Sequence, residues 1–396
     1  MKDIRQLLLM IVLVQFVNAM DFVLVMPLGP DIAFNLGFET DKIAWLSASY
    51  TFAAAITALL LASLLDRYDR KHVMVFFLVG LLIGTLLAAV STSLEWMIAA
   101  RILSGIFGGP AIGIGMSIVA DKVPIEERGK AVGLILVGFP LSGIFGIPIA
   151  LYIGDLFGWQ WAFYLLSGLI FLVIVYVWIC MPNLAEHLSS GEVHGFQYIN
   201  LIRRPEMGLG VFSIGIALFP GFLVIPHFST ILQLNNGFPR EDLSVLLLVS
   251  GLINLAIVMI SGRISDRIGS PKTNTAFVLL FSVNVFMWLV TKIDISVVVY
   301  YLMFSMCFSA STVPVSSLVS KIPSPQERAG FGTLLTLFQH VGAGLGAAVS
   351  YTIVVPNADG ALGNLDVLGA SSAAAALLTP FIVMSIDRRL KERLRA

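Results

Sequence analysis

Apolar residues run along this chain in long blocks rather than in alternation. Blocks of membrane-spanning length fall at about 6–28, 43–65, 72–91, 95–120, 130–153 and 160–181. After a polar interval, six more fall at about 207–232, 242–263, 273–291, 295–319, 330–355 and 366–386. A helix needs about 20 apolar residues to cross a bilayer core, and lipid forces every backbone group to find its partner inside the segment. The pattern therefore predicts an all-α membrane protein of twelve transmembrane helices with short connections. The interval Pro182–Glu206 is the one long polar break, so residues 1–181 and 207–396 read as two six-helix bundles joined by a 182–206 linker.

Composition agrees with the pattern. The chain is 58% hydrophobic and 12% charged, about half the charge of a soluble domain. A water-soluble globule could not hide that much apolar surface, which excludes a soluble enzyme, a nucleic-acid binder and a disordered protein. The net charge is zero, but the placement of charge is informative. Of 24 Lys and Arg, only Arg101 falls inside a span, and Lys42, Arg240 and Lys292 fall on one side; the remaining 20 share the other side with the N-terminus. The positive-inside rule then predicts cytoplasmic termini at both ends of a multi-pass membrane protein. The first block contains Asp21 and no small-residue cleavage site follows it, so it reads as a retained span. Cys180 and Cys307, far apart in apolar stretches, read as inert buried thiols.

The two halves repeat each other. Asp66-Arg67 after span 2 recurs as Asp266-Arg267 after span 8, an offset of 200 residues. From Asp66 to Arg128 is 62 positions, and from Asp266 to Arg328 is again 62. A duplicated six-helix unit in parallel orientation accounts for that spacing.

These residues also carry a family resemblance. Ala62-Ser63-Leu64-Leu65-Asp66-Arg67-Tyr68-Asp69-Arg70-Lys71 resembles the G-x-L-A-D-R-x-G-R-K signature of major facilitator superfamily transporters, with Ala62 and Asp69 in place of its two glycines. Gly262-Arg263-Ile264-Ser265-Asp266-Arg267-Ile268-Gly269 is the second copy and keeps both. Arg101-Ile102-Leu103-Ser104-Gly105 resembles R-x-x-Q-G, and Gly158-Trp159-Gln160-Trp161-Ala162-Phe163 resembles G-W-R-W-x-F. Gly138, Pro140, Gly143, Gly146 and Pro148 resemble the glycine- and proline-rich signature of the drug:proton antiporter and sugar-efflux branch. The resemblance implies a central cavity between the two bundles, walled by helices 1, 2, 4, 5, 7, 8, 10 and 11, with 3, 6, 9 and 12 as apolar scaffold. It further implies that Asp66 approaches the start of helix 11, that Arg70 pairs with Asp121, and that Asp266 and Arg267 act alike against helix 5. Such contacts would latch the halves together when the outside is open; a solvated turn that merely fixes topology is the alternative. The helix 5 residues would bend that helix and seal the cavity against proton leak, or simply kink it for packing.

Ionisable groups inside a bilayer are costly, and only Asp21, Arg101, His227 and His340 lie within the spans proper. Asp21 and Arg101 sit at matching depths, about seven residues or roughly 10 Å from one end of spans 1 and 4. Asp21 is the candidate proton carrier and Arg101 the residue that tunes it; a static inter-helix bond is the alternative. Asn18, Tyr50, Asn254, Gln339 and His340 are the candidate substrate contacts, with Phe16, Met20, Phe139, Phe219 and Phe338 as possible apolar wall. Small residues at Gly105, Gly109, Gly113, Gly342 and Gly346 are expected to let helices approach closely.

The expected activity is export of a drug-like, lipophilic or sugar-like solute in exchange for protons, by a monomer that needs no metal or cofactor. Proton-coupled uptake of a sugar or organic acid is the rival, and a transport-inactive receptor a remote one. No nucleophile elbow, phosphate loop or metal-spaced cluster supports an enzyme.

Overall fold

A computed structural model describes residues 2–65, 68–124, 127–185, 201–324 and 327–395. It contains twelve helices long and apolar enough to cross a membrane: α1 (Ile4–Leu24), α2 (Thr40–Leu61), α3 (Arg70–Ala89), α4 (Leu94–Val119), α5 (Arg128–Phe157) and α6 (Trp159–Cys180) in the first half. The second half holds α7 (Pro205–Asn235), α8 (Arg240–Ile268), α9 (Ser270–Thr291), α10 (Val297–Val319), α11 (Gly330–Ile353) and α12 (Leu365–Glu392). The side on which α1 begins is called inner below, and the opposite side outer. Of the 182–206 linker, residues 186–200 lie outside the described ones.

Most spans follow the apolar blocks closely, and the departures have visible causes. Pro220 sits inside α7 without ending it, and Ser372 of α12 donates to the Pro220 carbonyl at 2.7 Å. The last turns of α7 are a 3₁₀ turn at Ile225–His227 and a π turn at Ile231–Asn235. α12 runs past its apolar block because Ile386 and Leu390 continue its buried stripe onto Leu201, Met207 and Phe331. Between α11 and α12 the outer loop forms a small antiparallel ladder, β1 (Val355–Pro356) with β2 (Leu362–Gly363). Asn235 fixes it by accepting from the Leu362 N–H at 3.1 Å and donating to the Leu362 carbonyl at 2.8 Å.

Glycines set the closest helix contacts. A side chain on Gly105 would strike the Tyr50 carbonyl, and one on Gly342 the Gly215 backbone. Cβ atoms on Gly109 and Gly346 would lie 2.6 Å from the carbonyls of Ala54 and Phe219. Gly113 is the exception: nothing lies within 4 Å of its Cβ position, so the face of α4 that packs closely on α2 stops at Gly109.

The two halves are bolted on their outer side. Arg240 of α8 reaches Asp31 on the short helix Gly29–Leu36 and Asp155 at the outer end of α5. Ser229 donates to the Pro27 carbonyl at 2.7 Å, and Thr40 to the Gly360 carbonyl at 2.7 Å. The rings of Trp45 and Tyr351 meet at 5.5 Å. Contacts of α8 with α5 concentrate on Ser142–Phe157, the outer part of α5. This conformation is closed to the outside.

Candidate functional site

Asp21 projects from α1 into a wholly buried cluster drawn from four helices. Arg101 of α4 donates from Nη1 to Asp21 Oδ2 at 3.1 Å and from Nη2 to the Asp21 carbonyl at 2.9 Å. Both side chains are 0% exposed. Thr85 of α3 lies 2.7 Å from the other carboxylate oxygen. The guanidinium rests over the Tyr50 ring of α2, 4.6 Å from its centroid, a favourable placement for a cation on a π face. Tyr50 in turn donates to Asn18 Oδ1 at 3.2 Å. The local fold allows this because Gly105, one turn after Arg101, lets α2 close onto α4 at Tyr50.

Asp21 and Arg101, matched by depth in the sequence, are thus in direct contact. The pair has no exposed atom surface in this conformation, so proton exchange requires a second arrangement of the helices. Asn18 and Tyr50 also depart from the expected cavity lining, being buried and bonded to each other. They belong with the charged pair.

The other three candidate contacts lie in the second half. Asn254 of α8, half-buried, donates to Ser305 of α10 at 2.5 Å, while Ser250 bridges to Ser305 at 3.0 Å. The Asn254 Oδ1 is buried and has no partner. His340 of α11 is half-buried and meets the Phe22 ring edge-on at 6.4 Å. Gln339 is half-buried beside it. Phe22 also stacks on Phe222 of α7 at 6.0 Å and lies 5.3 Å from Tyr50. One aromatic side chain on α1, directly next to Asp21 in sequence, therefore meets rings of both halves.

The expected latches are only partly in place. Arg70 Nε lies 3.3 Å from Asp121 Oδ2, but both belong to the first half, so that pair alone ties nothing across the molecule. Asp66 falls outside the described residues. Asp266 and Arg267 are exposed at the inner end of α8, and nothing lies within 4 Å of a Cβ at Gly129; among the described residues neither side chain makes a hydrogen bond or ion pair with α5. Asp69, which departs from the glycine of the family signature, has a job of its own. Its carboxylate caps α3 by accepting from the Lys71 and His72 N–H groups at 2.8 and 3.4 Å, and accepts from Leu184 N at 2.8 Å, holding the chain that leaves α6.

In α5 the regular ladder breaks after Leu136 and passes through a π turn at Ser142–Gly146, which begins two residues after Pro140. Proline removes a donor from the ladder, and π turns relieve such breaks. A Cβ at Gly138 would sit 2.7 Å from Gln15, and one at Gly146 2.8 Å from the Met20 sulfur, so these glycines also seat α1. Pro148 begins the regular outer segment Ile147–Phe157. Gly143 has no neighbour within 4 Å of its Cβ position.

Sequence reasoning overlooked Thr85, Phe22, Phe222 and the bridging role of Arg240. A signal existed for the first: Thr85 is the one hydroxyl side chain in Arg70–Ala89. The α3 scaffold is therefore not purely apolar, and α9 likewise buries Asn274 and Asn284, whose amides donate to the carbonyls of Ser311 and Tyr300.

A family model described as Major Facilitator Superfamily matches residues 11–347. The chain is 25% identical to an uncharacterized MFS-type transporter of Bacillus subtilis, YwfA, over 88% of its own length and 85% of the relative's. It is 34% identical to Multidrug resistance protein 3 of the same organism over 148 residues, which is 37% of this chain and 29% of that one. Among solved structures, a D-xylose-proton symporter superposes with a TM-score of 0.75 over 95% of this chain and 97% of the other, at 16% identity.

Proposed function

The chain belongs to the Major Facilitator Superfamily, and from that premise we propose that it exports a small molecule in exchange for protons, with Asp21 as the proton carrier. On this reading it works as a monomer in a bacterial cytoplasmic membrane, with the inner side of the molecule facing the cytoplasm.

One observation carries the proposal: a carboxylate and a guanidinium paired with no solvent exposure at the centre of the first half. As an ion pair the cluster is neutral. Adding a proton to Asp21 leaves Arg101 as an uncompensated cation in a region of low dielectric. Removing one partner of a buried pair costs about 3–5 kcal/mol, so the protonated form favours any rearrangement that readmits water or separates the helices. The Tyr50 face and the Asp21 carbonyl keep Arg101 held meanwhile. Proton binding is thereby tied to conformation, which alternating access requires.

Phe22 links that event to the path. It joins Asp21 in sequence and touches Phe222 and His340 of the opposite half, so opening the outer side pulls it from its neighbours. Substrate then meets Asn254, Gln339 and His340 across from the Asn18–Tyr50 pair. In the outside-open form Asp66 with the start of α11, and Asp266 and Arg267 with α5, take over as the inner latch, Arg70–Asp121 stiffening the first of these turns. The broken region of α5 from Gly138 through Pro140, Gly143, Gly146 and Pro148 seals the cavity against leak. Export is favoured over uptake by that α5 pattern and by the partial likeness to a multidrug resistance protein.

The test uses everted vesicles carrying a pH gradient read by a dye and challenged with a panel of lipophilic compounds and sugars. Some member of the panel should dissipate the gradient with the wild type and none with Asp21→Asn. Gradient-driven flux in the Asp21→Asn protein would remove Asp21 from the mechanism, and substrate accumulation in intact cells would replace export by uptake.

A further inference from the structure

The Thr85 hydroxyl stands between two acceptors. Its Oγ1 lies 2.7 Å from Asp21 Oδ1 and 2.8 Å from the carbonyl oxygen of Leu81, one helical turn earlier in α3. A hydroxyl has one hydrogen and two lone pairs, so it cannot donate to both at once. Thr85 is 0% exposed, as is Asp21, and the Leu81 carbonyl keeps its helical bond from the Thr85 N–H whichever way the hydroxyl points.

We propose that Thr85 is a two-position hydrogen-bond partner that keeps its own hydroxyl and the Asp21 carboxyl bonded to each other whether or not Asp21 carries its proton. This rests on the reading of Asp21 as proton carrier. When Asp21 is ionised, Thr85 donates to Oδ1. When a proton arrives on Oδ1, the new O–H donates to Thr85 Oγ1, and the Thr85 hydrogen turns to the Leu81 carbonyl. Within the cluster one proton is gained and one hydroxyl rotates; the helix rearrangement that admits the proton is a separate step. Arg101 keeps its bond to the Asp21 backbone carbonyl in both states, so the carboxyl stays in place while its charge changes.

The charged and titratable groups facing this carboxyl are few. Arg101 comes from α4 and Tyr50 from α2. α5 has no acidic, basic or histidine residue between Ala131 and Gly154, and α6 has none from Trp159 to Cys180. From the opposite half, His340 stands behind the Phe22 ring. α3 itself contributes Thr85, so its hydroxyl is the group able to follow the proton by rotation alone.

A hydrogen bond to an ionised carboxylate is about twice as strong as one between neutral groups. Removing the hydroxyl therefore penalises the ionised form more than the protonated one. The experiment is an infrared pH titration of the full-length protein in liposomes, following the carboxylic C=O band that Asp21→Asn removes. Thr85→Val, which keeps the shape, should raise the midpoint of that band by about one pH unit, a tenfold change in proton affinity. Thr85→Ser, which keeps the hydroxyl, should leave it within about 0.3 unit of the wild type on the same scale. If Thr85→Val does not yield folded protein, Thr85→Ala is read against the same expectation. An unmoved midpoint in the hydroxyl-free variant, or an equal shift in Thr85→Ser, overturns the inference while leaving Asp21 as carrier. Should Asp21→Asn remove no titrating band, the carrier assignment falls and takes this inference with it.

Discussion

Removing Arg240 should open the outer side of the molecule. Arg240 approaches Asp31 through Nε at 2.9 Å and Nη2 at 2.7 Å, and Asp155 through Nη1 at 2.9 Å. The three side chains are 22%, 29% and 24% exposed. Fully exposed pairs contribute about 0.2–1 kcal/mol, and hydrogen bonds to charged groups about 1.5–3 kcal/mol. A three-member network with a hydrogen bond to Asp31 and an ion-pair contact to Asp155, three-quarters withdrawn from solvent, falls near 2–3 kcal/mol. All of it is specific to the outside-closed form, because Arg240 belongs to one half and both carboxylates to the other. The population of outside-open protein should therefore rise roughly 30- to 150-fold. Ser47 makes a suitable reporter: it lies on outer α2, is 1% exposed, and its hydroxyl has no partner to lose. In a Ser47→Cys background, Arg240→Ala should accelerate labelling by a membrane-impermeant maleimide applied from outside by that factor. Arg240→Asp combined with Asp31→Arg should recover part of the protection. An unchanged labelling rate in Arg240→Ala would mean that the network is ornamental and that apolar contacts alone close the outer side.

Other consequences are simpler to check. Gly342→Ala forces a methyl group into the Gly215 backbone and should cost at least the 1–3 kcal/mol typical of overpacking, read as a lowered melting temperature in detergent; Gly113→Ala, in open space, should melt with the wild type. Restoring the family glycine with Asp69→Gly removes the cap of α3 and the anchor of Leu184. Loss of the cap costs only a few tenths of a kcal/mol when glycine replaces it, so a drop of about 1 kcal/mol or more in stability would be assigned to the lost anchor. At the inner side, hydrogen bonds from Ser324 hold the Glu327 carboxyl below the usual carboxylate range, helped by Arg204. A depressed value means stabilisation that is present at neutral pH and lost as pH falls through it, so acid should lower the melting temperature of the wild type more than that of Glu327→Gln.

The architecture was legible because the bilayer writes it plainly: twenty-residue apolar blocks and one-sided basic loops have no other physical use at this frequency. The Asp21–Arg101 contact was legible for a related reason, since two opposite charges at one depth in oil must find each other. What could not be read was which small polar residue would join them. Thr85 looks like any threonine in an apolar helix until the crossing of α1 and α3 places it against Asp21. Arg240 was visible as an isolated cation on the sparse side, but its partners come from Asp31 and Asp155, more than a hundred positions apart. Such pairings depend on how the halves meet, which no local pattern encodes. Asp69 shows the converse: it looked like a defect in a signature and proved to be a cap and a tether.

The ladder that follows α11 is pinned to the end of α7 by Asn235 and receives a bond from Thr40 of the opposite half at the Gly360 carbonyl. A turn held in this way is a poor place for an inserted epitope tag and a good one for an antibody fragment. A binder whose footprint covers both Thr40 and Gly360 would grip the two bundles together, arresting the protein for imaging without touching its interior.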